Sequence, residues 1–145
     1  MAPLVVLFVV TGAIRTAGWL FDVAVIDSWV VAVRVGLAAM FVVTAIAHFA
    51  QPRRDALIAM VPPTLPSAPL LVTVTGVLEL AGAVGLLIPA SAPVAAGCLA
   101  MLMVVMFPAN IRAARSSGGI KTMPFPVRAV VQIVFVAACL VVVLA

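Results

Sequence analysis

The polarity pattern along the chain is a succession of long, continuously apolar runs, separated by short segments that collect the prolines, glycines and charges. A helix crossing hydrocarbon needs about 20 apolar residues. Five runs meet that length, at about 3–21, 29–50, 70–88, 94–111 and 127–145. None alternates apolar and polar positions with a period of two, as a membrane barrel strand would, so helices are the predicted elements. The breakers fall between the runs: Pro52, Pro62, Pro63, Pro66 and Pro69 in the second interval, Pro89 and Pro93 in the third, and Ser116 to Gly119 with Pro124 and Pro126 in the fourth. Residues 53–61, opening Arg53-Arg54-Asp55, predict a short amphipathic helix lying on the interface. The first run lacks a basic n-region and an A-x-A cleavage site, so it reads as a retained helix and not as a signal peptide. The expected fold is all-α, a polytopic membrane helix bundle with one transmembrane domain over residues 1–145.

Composition removes the soluble alternatives. Hydrophobic residues make up 67% of the chain, charged residues 8%, and the mean hydropathy is +1.42. An ordinary soluble domain is about 25% charged. The net charge of +4 comes from Arg and Lys near the ends of the runs, with no basic tract to meet nucleic acid. A bilayer surface suits that charge better. Cys98 and Cys139 stand alone in apolar runs without metal spacing and read as packing residues, with a disulfide between them, at similar depth on consecutive helices, as the alternative. Met101, Met103 and Met106 have no Cys or His among them, so no metal site is expected.

Orientation follows from the basic residues, which are retained on the cytoplasmic side. The second interval carries Arg53 and Arg54, and the fourth carries Arg112, Arg115, Lys121 and Arg128, whereas the first and third carry none. This predicts a multi-pass protein with its N-terminus cytoplasmic and its C-terminus outside. Trp19 and Trp29 then fall together at the outer interface, which indole rings favour.

Few polar residues lie inside the runs, and each calls for a partner. Arg15 and Arg34 sit a turn or two below the outer surface, where a guanidinium is costly unless it snorkels or pairs. Asp22 is seven residues from Arg15 and Asp27 seven from Arg34, so ion pairs with the outer loop are the expected relief, an outward-facing anionic site the alternative. Glu79 is placed near mid-membrane with no Arg or Lys on its helix. It should be protonated or find hydrogen-bond donors on other helices. His48, Asn110 and Gln132 are the candidates. Helical rise puts Gln132 nearest in depth and His48 roughly 10 Å away, which makes Glu79 to Gln132 the easiest contact. Pro108 frees backbone beside Asn110, and Gly76, Gly82 and Gly85 allow close helix approach around Glu79. Three readings of this cluster stay open: hydrogen-bonded glue for the bundle, a pocket for a polar head group or quinone-like ligand, and proton transfer through Glu79 and His48.

Five segments occur in the order seen in DoxX-like membrane proteins: His48-Phe49, Met60-Val61-Pro62, Thr75-Gly76-Val77-Leu78-Glu79-Leu80, Phe107-Pro108-Ala109-Asn110, and Gln132. The chain resembles that family from its second run to its fifth. The resemblance implies a small bacterial inner-membrane bundle with a four-helix core, to which the first helix is an N-terminal addition. The family takes its name from a subunit of a thiosulfate:quinone oxidoreductase, and animal relatives look like assembly chaperones for membrane receptors. No cysteine pair, facing haem ligands or flavin motif is present in the sequence, so the resemblance does not by itself make an enzyme. The leading expectation is a non-catalytic accessory subunit that binds a quinone or lipid through Glu79, His48, Asn110 and Gln132, and docks a redox protein on its cytoplasmic loops. An assembly factor without ligand and a small proton-coupled transporter are the alternatives. A second copy of the chain is a further candidate partner.

Overall fold

The computed structural model describes residues 1–115 and 124–145, and within them the side chains of all but 113–115. Ser116 to Gly119 and Lys121, assigned to the basic fourth interval, lie outside the described residues, as does the side chain of Arg115. Six helices and no strand occur among the described residues: α1 (Ala2–Leu20), α2 (Trp29–Phe49), α3 (Arg53–Met60), α4 (Ala68–Leu87), α5 (Ala92–Arg115) and α6 (Phe125–Leu144). All but α3 are long and apolar enough to cross a membrane. The chain is a multi-pass membrane helix bundle.

Four of the helices start slightly before the apolar run that predicted them, and proline is the reason. Pro3, Pro69, Pro93 and Pro126 lie in the first turn of α1, α4, α5 and α6, where no intrahelical partner awaits the missing N–H and the fixed φ suits a helix. The prolines read as breakers thus include three that open helices. Pro108 lies inside α5, which continues past it to Arg115.

The packing is a ring with one helix outside it. Helix α2 packs on α4, α4 on α5, α5 on α6 and α6 back on α2, while α1 packs on the free side of α2. Leu37, Met40 and Phe41 of α2 meet Ala83 and Leu86 of α4, Ala96 and Leu99 of α5, and Cys139 and Val142 of α6 in one buried core. These residues cluster toward the end where the α1–α2 and α4–α5 connections lie. At that end Gly82 is pressed against Leu99: a Cβ on it would stand 2.5 Å from the leucine side chain. The opposite end, where α3 lies, is hollow. The outer faces present large apolar side chains such as Phe8, Val84, Val105 and Ile133, as lipid-facing helices do.

Candidate functional site

At the solid end the two arginines resolve differently from the simple loop pairing. Arg15 forms an ion pair with Asp27, not with Asp22, and its guanidinium lies 5.4 Å from the centroid of the Trp29 ring. Asp22 is exposed, with φ of 52°, and makes no ion pair among the described residues. Arg34 turns away from the loop and donates from Nε to Leu86 O at 2.9 Å. That carbonyl belongs to the last turn of α4, where intrahelical partners run out and a cation is favoured by the helix dipole. Of the four ion-pair candidates, Arg15 and Asp27 pair with each other, whereas Arg34 bonds a backbone carbonyl, because the α1–α2 loop folds Asp27 back over α1 and leaves Arg34 facing α4.

The hollow end gathers the remaining intramembrane polarity. His48, Glu79, Asn110 and Gln132, from α2, α4, α5 and α6, all line one cavity of about 360 Å³. Thr44, Arg53 and Arg128 line it too, and the rest of its wall is largely apolar, including Met40, Phe41, Met103, Met106 and Phe135.

The contacts within it differ from the depth estimate. Glu79 is buried and meets α2: Thr44 Oγ1 lies 2.7 Å from Glu79 Oε2, and His48 Nδ1 lies 3.8 Å from the same oxygen. No hydrogen bond joins Glu79 to Gln132 among the described residues; Gln132 instead donates to Met103 O at 2.8 Å and accepts from Asn110 Nδ2 at 3.4 Å. Two physical causes explain the change. Helices α2 and α4 are antiparallel, and Cα–Cβ bonds tilt toward the N-terminus of their own helix, so His48 leans inward while Glu79 leans toward the α3 end. Each side chain therefore closes the gap that backbone rise alone predicts. Gly76 does the rest: a Cβ there would lie 2.6 Å from His48 Cβ, so only a glycine lets the two backbones pass at this level.

The hydrogen-bond chemistry is self-consistent. Thr44 Oγ1 carries one proton and has two acceptors in reach, Phe41 O at 3.0 Å and Glu79 Oε2 at 2.7 Å. An ionised Glu79 accepts that proton; a protonated Glu79 donates to Thr44, which then donates to Phe41 O. Either state has a partner. His48 Nδ1 is 3.1 Å from Thr44 O, so a proton on Nδ1 is donated there, and in the neutral form of that tautomer Nε2 is an acceptor. Across the cavity a second chain runs from Arg128 Nη1 to Asn110 Oδ1 at 3.4 Å, then on to Gln132 and the Met103 carbonyl. The carbonyl used is Met103's, one residue before the Val104 carbonyl that Pro108 leaves without its usual donor.

Thr44 was not singled out in the sequence, although it precedes His48 by four residues and so shares its face of α2. Arg53 and Arg128 counted only as loop charges. Of the three methionines, Met103 and Met106 line the cavity and Met101 is exposed. No group of three or more His, Cys, Asp or Glu able to hold a metal occurs among the described residues. Cys98 is exposed and Cys139 buried, and both are free.

Comparison with curated proteins and with solved structures gives no match. A family model does match, over residues 37–143, which spans from the middle of α2 to the last turn of α6 and leaves α1 outside. That is most of the chain and the whole of the cavity's four-helix ring apart from the start of α2. The chain belongs to the family described as a domain of unknown function, DUF8561.

Proposed function

We propose that this protein is a non-catalytic membrane subunit whose cavity holds a quinone- or lipid-like amphiphile, as its resemblance to DoxX-like proteins implies. One observation supports this most: four polar side chains from four helices converge on a single cavity of about 360 Å³ whose other walls are largely apolar. Small-molecule sites have this makeup, a mostly apolar concavity with a few convergent polar groups, at volumes of about 300–1,000 Å³. Arg53, Arg54, Arg112 and Arg128 all belong to the α3 end, so the positive-inside rule makes that end cytoplasmic in the plasma membrane. A redox protein would dock there.

The test is mass spectrometry of the protein extracted with its native lipid. Glu79→Gln keeps the side-chain shape and should lower the amount of co-purified small molecule while the protein stays folded. A second reading, in which the polar residues only fasten the bundle, draws on the direct interhelical bonds from Thr44 to Glu79 and from Gln132 to Met103 O. Under it the same variant unfolds earlier in detergent and wild type carries no ligand.

A further inference from the structure

The cavity is ordered by depth, and the order matches one kind of molecule. Its mouth carries two permanent cations: Arg53, the first residue of α3, and Arg128, in the first turn of α6. Arg53 is exposed and makes no hydrogen bond or ion pair among the described residues. About one turn deeper lie His48, Asn110 and Gln132, which offer hydrogen-bond donors and acceptors. Deeper again, about 10 Å from His48 by helical rise, the wall is apolar at Phe41 and Met40. The single acid on the wall, Glu79, is bonded to Thr44 below the mouth.

The cavity also has a side. Helices α1 and α6 both pack on α2 but form no seam with each other among the described residues. Pro3 and Leu4 line the cavity from α1, and Val131 and Phe135 line it from α6. A chain too long for the cavity can leave between them into the bilayer.

Resting on the ligand-binding reading above, we propose that the occupant is an anionic amphiphile of the bilayer. Its acidic head sits between Arg53 and Arg128, its ester or carbonyl linkage lies beside His48, Asn110 and Gln132, and its hydrocarbon runs past Phe41 or out between α1 and α6. A guanidinium pair recognises phosphate or carboxylate oxygens through short, charge-assisted hydrogen bonds. A quinone head has no charge for the arginines to meet.

The experiment uses the full chain in a neutral detergent, loaded with phosphatidylglycerol, phosphatidylcholine or ubiquinone, with retention read by native mass spectrometry. Wild type should retain phosphatidylglycerol about ten-fold better than phosphatidylcholine, and the Arg53→Gln/Arg128→Gln double variant should bring the ratio to within about two-fold. Arg53→Gln alone removes an exposed side chain and so tests the same point if the double variant does not survive extraction; it should lower the ratio about three-fold. Equal retention of the two phospholipids by wild type, or a preference that outlives the arginines, overturns the proposal. Displacement of phosphatidylglycerol by equimolar glycerol 3-phosphate would mark a site for soluble phosphate and overturn it too. Ubiquinone held alike by wild type and double variant, with no phospholipid preference, overturns the anionic head while leaving the amphiphile reading intact. Retention of nothing removes both.

Discussion

His48 and Glu79 approach within 3.8 Å because a glycine stands between their helices, and this makes Gly76 the residue on which the site's geometry turns. Gly76→Val would put a branched side chain into His48, and overpacking of this kind costs about 1–3 kcal/mol. The expected result is a lower unfolding midpoint in detergent together with loss of the His48–Glu79 approach, read as a changed His48 ring resonance; an unchanged midpoint would show that the helices can part freely here. Thr44 is the second lever, since its hydroxyl is the only hydrogen-bond partner of Glu79 among the described residues. Thr44→Val removes it at nearly constant shape, and intramembrane hydrogen bonds average about 0.6 kcal/mol, so a loss of that size in a denaturant titration is expected. Which residues form the cluster was legible in the sequence, because polar side chains in apolar runs are conspicuous. Which of them touch was not. Depth can be counted along a helix, but side-chain tilt and the facing of one helix toward another depend on packing, and these turned Glu79 toward Thr44 and His48 and gave Gln132 to Asn110.

At the scale of elements, α3 is held by Arg54 more than by burial, since none of its residues is buried. Arg54 donates to His48 O at 2.6 Å and to Thr73 Oγ1 at 3.0 Å, tying the C-terminus of α2 to the first turns of α4. The carbonyl of His48 is one that a helix end leaves without an intrahelical donor, and a cation there also suits the helix dipole. Arg54→Gln should therefore loosen α3 and the start of α4 while sparing the solid end. Hydrogen exchange would show faster exchange over Arg53–Met60 and the first turn of α4 and unchanged protection around Leu86 and Leu99; a uniform rise would mean that Arg54 supports the whole fold. The five long apolar helices were readable from apolar run length and the short helix α3 from the polar opening of its segment, and the boundaries moved chiefly where proline opens a helix. Helix α1 lies outside the matched family region and outside the four-helix ring, yet its first turn walls the cavity, a role no pattern in its own sequence could signal.

Across the whole molecule the bundle is solid at one end and hollow at the other, and Arg53, Arg54, Arg112 and Arg128 gather at the hollow end. Orientation is checked with single cysteines in a Cys98→Ala/Cys139→Ala background: Asp55→Cys in α3 and Ala90→Cys in the α4–α5 turn, both exposed positions. A membrane-impermeant thiol reagent added to intact cells should label position 90 and spare position 55; the reverse would invert the topology and put the cavity mouth outside. The central claim is that the hollow end is an occupied site and not a packing defect, and filling it separates the two. Ala47 lines the cavity, so Ala47→Trp would place an indole inside it. Mass spectrometry of wild type and Ala47→Trp protein, each extracted in native lipid, should show a small molecule retained by wild type and reduced about ten-fold in the variant, equivalent to ~1.4 kcal/mol, with the variant still folded. No retained molecule in wild type, and a variant made more stable by the filled space, would contradict the account.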